Sequence, residues 1–391
     1  MRYTKLGRTG LDASIVGLGM EHLLGKPRKT VVSVVREAIE RGINYFDVIF
    51  CIPEYLDNMA AAFEGQRDKV LLTAHLGSAE RNGQYFKSRS TRRCETFFFD
   101  YLHRVGTDYV DVLFLHNLNS TNEWEKIGKP GGVLELAQRL RDEGKARFLG
   151  ISGHFADPIK AAIDSGQVDV VMFPINLFNH AMPGRQGLVN RCTQQGIGLV
   201  AMKPYGGGKL LNSRGTLRVP KYLTSGEAFK TRIPAEITPA QCLSYVQAQV
   251  GVSIALPGVK NHAELTAAIE ALEETEANRD FSGLLTRFGR YQDGECVYCN
   301  HCLPCPALID IGQVLRLVDL GQWGVSNGLQ REYDMLPVRA SSCTECEACE
   351  KRCPFDVEIM VSLRRAVSLF EPSVARDRAI GTVPVMATGI H

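Results

Sequence analysis

Short runs of β-branched and apolar residues alternate with amphipathic helical patterns through the first 275 residues of the chain. Each run is almost continuously apolar, as in parallel strands that are buried on both faces. Eight such runs occur, at residues 14–19, 43–48, 69–75, 109–116, 147–152, 168–174, 198–204 and 253–258. Eight strand–helix alternations over this length predict an α/β fold of the (β/α)8 TIM barrel type.

A doubly wound open sheet is the competing architecture for this pattern. The barrel is favoured because the chain has eight strand–helix units, the number that a TIM barrel requires, and because no G-x-G-x-x-G sequence follows the first strand. The opening residues 1–14 resemble a hairpin that caps the barrel floor. More than thirty residues separate Pro204 from the helix near Thr238. A connection of that length after the seventh strand predicts a functional loop, with a solvated insertion as the alternative.

The pattern changes at about residue 275, where a charged helical connector begins. We therefore predict a barrel domain over residues 1–275 and a small ferredoxin-like domain over residues 276–391. The second domain holds eight of the twelve cysteines, in two runs that each end in Cys-Pro. The runs are Cys296, Cys299, Cys302 and Cys305, then Cys343, Cys346, Cys349 and Cys353.

Eight thiolates are enough for two 4Fe-4S clusters. A C-x2-C-x2-C turn supplies three ligands to one cluster, and the cysteine before proline typically reaches the other cluster. This predicts one cluster on Cys296, Cys299, Cys302 and Cys353, and another on Cys343, Cys346, Cys349 and Cys305. The second run has the spacing of bacterial ferredoxins, whereas the first has two residues instead of three before its last cysteine. Zinc sites are the alternative, since zinc also binds C-x2-C pairs.

Charge and composition exclude several classes of function. The formal net charge of +2 provides no electrostatic footprint for nucleic acid or for an anionic membrane. No apolar run approaches the roughly 20 residues of a spanning helix, and the start lacks the apolar core of a secretory signal. We expect a cytoplasmic protein, where clustered cysteines indicate metal binding and not disulfides. The oligomeric state is not indicated.

The barrel region resembles the aldo-keto reductase family over nearly all of residues 1–275. The resemblance rests on MRYTKLGRTGLDASIVGLGM, INYFDV, VGTDYVDVLFLH, GKARFLGIS, AMKPYGGGKLL and ALPGVKNHAELTAAI. With its cysteine-rich tail the chain is similar to the iron–sulfur branch of that family. The resemblance implies hydride transfer between NADPH and a carbonyl, with a catalytic tetrad of Asp, Tyr, Lys and His in which Tyr is the general acid.

Two of the four tetrad positions depart from the family pattern. Asp47 and His116 match, but His75 stands at the lysine position and Ile52 at the tyrosine position. The nearest tyrosine is Tyr55. Because histidine titrates near neutrality, it adds no fixed charge. Either Tyr55 moves into place while His75 and His116 share the acid role, or the pocket carries out altered chemistry.

The resemblance also implies a nucleotide site. The carboxamide of the nicotinamide would contact the ends of strands five and six, with Phe178 as the candidate ring platform. Phosphates would lie against the loop after strand seven, and the adenosine phosphate against the segment after strand eight. Lys260 there favours NADPH over NADH. The implied cofactor-binding residues are Ser152, Asn176, Lys203, Tyr205, Gly206, Gly208, Leu210, Gly258, Lys260 and Glu264.

Three functions stay open on this basis. The first is an NADP(H)-binding oxidoreductase that acts on a small organic carbonyl or hydroxyl substrate. Clusters carry single electrons and nicotinamide carries two, so a flavin would normally mediate, yet no flavin motif is visible. The second is a reductase that receives electrons from a ferredoxin or flavodoxin without nicotinamide. The third is a non-catalytic redox or iron sensor, which the titratable groups at the barrel mouth disfavour.

Overall fold

The computed structural model describes residues 1–211, 216–219, 229–232, 237–285, 296, 300, 302–321, 325, 327–353 and 357–372. The chain divides into two compact units, Met1–Gln292 and Asp293–His391. The charged segment after residue 275 belongs to the first unit. There, Arg279 Nε donates to Ser244 Oγ at 3.0 Å, and the rings of Phe281 and Tyr245 meet edge to face.

Eight parallel strands form the barrel of the first unit and confirm the predicted fold class. They are Leu18–Gly19, Tyr45–Asp47, Leu71–Leu76, Val110–Leu115, Ala146–Ser152, Val170–Pro174, Gly198–Met202 and Val252–Leu256. Strands that are consecutive in this series are hydrogen-bonded neighbours. Bridges from Val16 to Ala255 and from Gly19 to Gly258 join the first strand to the last.

Helices alternate with the strands. They are Arg28–Glu40, Pro53–Phe63, Thr91–Val105, Thr121–Ile127, Val133–Asp142, Ala156–Asp164, Arg185–Gln194, Pro239–Gln247 and His262–Glu270, followed by the short helices Glu276–Arg279 and Ser282–Leu285. Each longer helix buries one apolar stripe, as a helix packed on a sheet must. Thr238 and Gln241 form a reciprocal capping box at the start of one of them, which fixes where that helix begins.

The opening segment closes the floor of the barrel. Strands Tyr3–Lys5 and Asp12–Ser14 pair antiparallel. Leu6 and Leu11, between them, belong to the same buried cluster as inward-facing residues of the barrel strands. The Arg8 amide donates to the Gly196 carbonyl at 2.6 Å. This hairpin therefore plugs the end of the barrel opposite the strand C-termini.

Two further hairpins lie at the other end of the barrel, where the strands have their C-termini. Strands Ser78–Arg81 and Gln84–Lys87 follow the third barrel strand directly, around a turn at Asn82 and Gly83. The long connection after the seventh strand contains a second pair among its described residues, Thr216–Val219 and Phe229–Arg232. Both hairpins leave from C-terminal strand ends, the end at which barrel enzymes carry their sites.

The second unit has its own apolar core. Its described helices include Ile311–Gly321, Asn327–Asp334 and Ile359–Phe370. Tyr333 and Phe370 stack with ring centroids 4.5 Å apart at the centre of this core. Among the residues that the structure describes in either unit, no helix is long and apolar enough to span a membrane.

Candidate functional site

Three of the predicted catalytic side chains meet in one hydrogen-bonded chain at the barrel mouth. Asp47 ends the second barrel strand, His75 lies near the end of the third, and His116 follows the fourth. His75 Nε2 lies 2.8 Å from Asp47 Oδ1, and His75 Nδ1 lies 3.0 Å from His116 Nδ1. Their exposed fractions are 6%, 5% and 1%. Buried, coupled titratable groups at this end of a barrel indicate proton-transfer chemistry.

Neighbouring residues hold this chain in place. The Thr73 hydroxyl donates to Asp47 Oδ1 at 2.6 Å, so this carboxylate oxygen has two partners. The Phe114 ring stacks on the His75 ring at a centroid distance of 5.2 Å. Thr73 and His75 can both reach Asp47 because residues two apart on a strand share a face.

Tyr55 is not brought into this chain. It lies in helix Pro53–Phe63 with an exposed fraction of 2%, and its ring meets Phe50 edge to face at 5.6 Å. Its hydroxyl has no hydrogen bond of ordinary geometry to any described residue. Burial, with a smaller contribution from Asp47, raises the pKa of Tyr55 well above its usual value.

A different tyrosine, missed in the sequence analysis, completes the chain. The Tyr85 hydroxyl lies 2.7 Å from His116 Nε2. Its ring meets those of His116 and Phe50 edge to face, at 5.6 and 5.7 Å. Tyr85 is carried by the hairpin after the third strand, and the sequence held a signal for that hairpin. Asn-Gly between short alternating segments favours a two-residue turn, and Asn82 and Gly83 adopt the left-handed φ values of 53° and 77° that it needs.

Ser152 and Asn176, predicted to bind a carboxamide, lie buried at neighbouring strand ends. Ser152 Oγ accepts the Asn117 amide at 2.9 Å. The Asn176 side chain donates to the Lys203 carbonyl at 2.9 Å and accepts the Asn179 amide at 3.2 Å. A hydroxyl and a side-chain amide keep further hydrogen-bonding capacity after such contacts. These two residues therefore fit a nicotinamide carboxamide.

The loop after the seventh strand is a left-handed turn. Gly206, Gly207 and Gly208 have φ of 57°, 69° and 86°, a run that only glycine adopts readily. A Cβ on Gly206 would lie 2.5 Å from the Phe178 ring. Amides of the turn, those of Gly206, Gly208 and Leu210, donate to carbonyls inside it. The buried Tyr205 hydroxyl has no hydrogen-bond partner among the described residues, so it can still bond to a ligand.

Two lysines lie close enough to His22 to affect its pKa, and one of them, Lys203, pairs with Glu21 at 3.8 Å. Burial first, then the charges of Lys260 and Lys203, lower the pKa of His22. The His22 ring packs on Gly258, where an added Cβ would lie 2.3 Å from ring carbon Cδ2. The Lys260 amide donates to the Glu264 carboxylate at 2.9 Å, at the start of helix His262–Glu270. Lys260, at a helix N-terminus, fits a phosphate group.

His154, beyond the fifth strand, is buried near two of the lysines at the barrel mouth. Burial lowers its pKa well below the usual histidine value, and Lys203 and Lys87 add to this effect. Lys87 forms an ion pair with Glu123 at 2.9 Å. His154 is therefore neutral near pH 7.

The predicted cluster ligands gather around the core of the second unit. Three cysteines are buried in it and three more pack against it, while Cys346 is exposed. The buried ones are Cys302, Cys305 and Cys349, and the others are Cys296, Cys343 and Cys353. Cys299 lies outside the described residues.

The local geometry around Cys343 fits an iron–sulfur cluster. The Glu345 amide donates to Cys343 Sγ at 3.4 Å, and Glu345 and Glu347 have φ of 53° and 58°, which fold the loop back on itself. Amide hydrogen bonds to ligand sulfur are typical of such clusters. In the described part of the chain, no three potential ligands are spaced for a single metal ion; a four-iron cluster is a larger group.

Family models match both units. The Aldo/keto reductase family model matches residues 16–284, which is more than half of the chain, and a 4Fe-4S dicluster domain model matches residues 295–358. The chain belongs to the aldo/keto reductase family. The matched barrel is followed by a C-terminal 4Fe-4S dicluster domain, which confirms the predicted iron–sulfur branch of the family and favours iron–sulfur over zinc.

Curated relatives and solved structures agree with this assignment. The chain is 26% identical to L-galactose dehydrogenase of Arabidopsis thaliana over 292 residues, 70% of this chain and 88% of that protein. It is 27% identical to aldo-keto reductase YhdN of Bacillus subtilis over 191 residues, 46% of this chain and only 56% of that protein. The fold matches the holo form of AKR11C1 from Bacillus halodurans with a TM-score of 0.60, at 21% identity, covering 74% of this chain and 96% of that one.

Proposed function

We propose that the barrel binds NADP(H) and transfers hydride between this nucleotide and a small organic carbonyl or alcohol. The observation that carries this proposal is the buried chain of Asp47, His75 and His116 at the barrel mouth. Hydride transfer to a carbonyl requires a proton at oxygen, and the reverse reaction requires a base. Coupled imidazoles beside a carboxylate supply both.

The residues around the chain support a nicotinamide nucleotide. Ser152 and Asn176 would hold the carboxamide, while Lys203 and Lys260 would neutralise phosphates. A lysine in the Lys260 position favours the additional phosphate of NADP(H), because it offers a point charge to that group. Bound nucleotide would donate or accept the hydride; protein side chains handle only the proton.

The second unit would hold two 4Fe-4S clusters with the crossed ligand sets predicted from the cysteine spacing. Cys346 is exposed, so the cluster on Cys343, Cys346, Cys349 and Cys305 would lie close to the surface of its unit. Surface clusters exchange single electrons with small redox proteins. We assign a ferredoxin or flavodoxin as the electron partner on this basis.

Nucleotide binding tests the proposal. The protein is purified anaerobically and titrated with NADPH and with NADH, following intrinsic fluorescence and the visible absorption of the clusters. Lys260→Ala is expected to weaken NADPH binding about 10–100-fold, the loss of one charge-assisted contact, and to leave NADH binding unchanged. The exposed Lys129 is the matched control, and Lys129→Ala is expected to change neither affinity.

Each outcome has a defined meaning. NADPH binding that bleaches the clusters joins barrel and clusters in one electron path, and binding without bleaching assigns the clusters to another partner. No binding of either nucleotide contradicts the proposal. Cluster reduction by ferredoxin or flavodoxin in that case would favour the nicotinamide-independent reductase, and its absence would favour the sensor.

A further inference from the structure

We infer that Tyr85 is the catalytic acid–base residue of this barrel, and that its hydrogen-bonded chain is set at rest to accept a proton. The substrate class that suits this setting is an alcohol, which the enzyme would oxidise. This inference rests on the proposed hydride transfer and adds the residue and the favoured direction. Its basis is a continuous series of short contacts from Tyr85 through His116 and His75 to Asp47.

The contacts admit a single arrangement of protons when both imidazoles are neutral. A carboxylate only accepts hydrogen bonds, so His75 Nε2 carries the proton that faces Asp47. Neutral imidazole has one donor, which makes His75 Nδ1 an acceptor. His116 Nδ1 must then be protonated, and its Nε2 accepts the Tyr85 hydroxyl. Every proton in the chain thus points away from the phenol oxygen and towards Asp47.

In this arrangement of protons, the Tyr85 oxygen can act as a base, because the chain behind it can take up the Tyr85 proton. When an alcohol O–H bond breaks, its proton bonds to the Tyr85 oxygen while the Tyr85 proton moves to His116 Nε2. The Nδ1 proton of His116 then moves to His75 Nδ1. The added charge ends on the His75 imidazolium, which Asp47 stabilises at 2.8 Å. An oxidised nicotinamide nucleotide, held by Ser152 and Asn176, would accept the alcohol C–H electron pair as hydride, so that the products would be a carbonyl and the reduced nucleotide.

This scheme explains why histidine stands at residue 75, where the family pattern has lysine. A lysine beside Asp47 would already be charged and could not take up the proton, whereas a neutral histidine can. Reduction of a carbonyl needs the opposite state, in which the chain carries one extra proton and Tyr85 turns its O–H towards the substrate.

Charged groups on the neighbouring elements lie on both sides of the chain. Arg89 Nη2 donates to the His116 carbonyl at 2.6 Å, and Lys87 lies on the hairpin strand that carries Tyr85. Both cations pair with the single carboxylate of Glu123. The described residues thus place two cations and one carboxylate on the His116 side of the chain, and the Asp47 carboxylate on the His75 side.

The proton arrangement can be observed without substrate or nucleotide. Nitrogen NMR of the full-length, cluster-loaded protein distinguishes the two neutral tautomers of each histidine. His75→Gln and His116→Gln variants assign the two resonances. We expect His75 protonated at Nε2 and His116 at Nδ1 near neutral pH. The opposite tautomer at either residue overturns the inference, whether or not the protein binds NADPH.

Kinetics test the role of Tyr85. With the best alcohol from a panel, Tyr85→Phe is expected to lower the oxidation rate about 10²–10⁴-fold, the range for a lost acid–base group, with unchanged nucleotide affinity. Tyr45→Phe is the control, because that buried hydroxyl, unlike the Tyr85 hydroxyl, lacks a partner among the described residues and lies within the barrel core. Loss of rate in Tyr55→Phe with Tyr85→Phe unaffected would assign the role to Tyr55 and overturn the inference.

Discussion

Two buried aspartates lie at opposite ends of the barrel, and replacing each with asparagine should have different effects. One replacement should mainly reduce turnover, and the other should mainly reduce stability. Asp47 lies at the C-terminal end of the second strand and Asp111 near the N-terminal end of the fourth, with exposed fractions of 6% and 1%. In barrel enzymes the first end carries function and the second carries stability. Changing each to asparagine therefore separates the catalytic site from the scaffold.

For Asp111→Asn we expect a large loss of stability. The carboxylate accepts Arg67 Nη2 at 2.9 Å, Arg147 Nη1 at 2.8 Å and the Leu72 amide at 2.9 Å. Removing one partner of a buried ion pair costs about 3–5 kcal/mol, and the half-exposed Arg147 reduces this. About 3 kcal/mol corresponds to a fall of roughly 6 °C in the unfolding temperature of a domain of this size.

For Asp47→Asn we expect a small loss of stability and a large loss of turnover. The amide oxygen can still accept the Thr73 hydroxyl and His75 Nε2, so only the charge assistance is lost. That difference is about 1 kcal/mol, or roughly 2 °C. The neutral amide no longer stabilises a charged His75, and turnover should fall about 10²–10⁴-fold.

Two assays on both variants give the result. The first follows the barrel's unfolding transition by circular dichroism, and the second follows nucleotide reduction with the best substrate at a temperature well below that transition. Asp111→Asn should keep turnover within about 3-fold of the wild type, since no group of the site is touched. Equal losses of turnover in the two variants, or full turnover in Asp47→Asn, would refute the assignment of the site.

Three other substitutions extend these predictions. Because burial depresses the pKa of His154, the free energy of unfolding should fall as the pH drops below about 6.5, by at most about 1.4 kcal/mol per pH unit. His154→Gln should make this dependence less steep in thermal melts from about pH 5 to 8. His75→Lys restores a fixed charge, removes the proton acceptor and should slow alcohol oxidation at least about 10²-fold in steady-state assays. The Glu371 carboxylate accepts hydrogen bonds from the hydroxyls of Tyr333 and Ser341, and Ser341 lies two residues before Cys343. Glu371→Gln weakens these bonds and should therefore speed the loss of the cluster to a chelator about 5-fold.

The barrel could be predicted from sequence because its strands are short, continuously apolar runs that alternate with amphipathic helical patterns. Asp47, His75 and His116 could be predicted as neighbours because parallel strand ends converge. The joining of the two imidazoles through their Nδ1 atoms could not, since ring orientation depends on packing against Phe114. Sequence reasoning also passed over Tyr85, because its hairpin is short and polar.

The prediction that phosphates lie against the loop after the seventh strand came from the family resemblance and from the glycines of that loop. Three consecutive glycines indicate backbone freedom, and the left-handed turn at Gly206–Gly208 is consistent with that. Hydrogen bonding within the turn is set by the surrounding carbonyls, which composition does not report. The ligand sets of the cysteines could be predicted, because the spacing of the cysteines along the chain itself limits which of them can share a cluster.

The most direct test of the proposed function is to follow the hydride itself. NADPH carrying deuterium at C4 of the nicotinamide is incubated anaerobically with the enzyme and the carbonyl counterpart of its best alcohol, and the product is analysed by mass spectrometry and NMR. Deuterium on the former carbonyl carbon is the result that we predict. Product formation with only solvent hydrogen at that carbon would contradict hydride transfer and would assign the reduction to electrons delivered through the clusters.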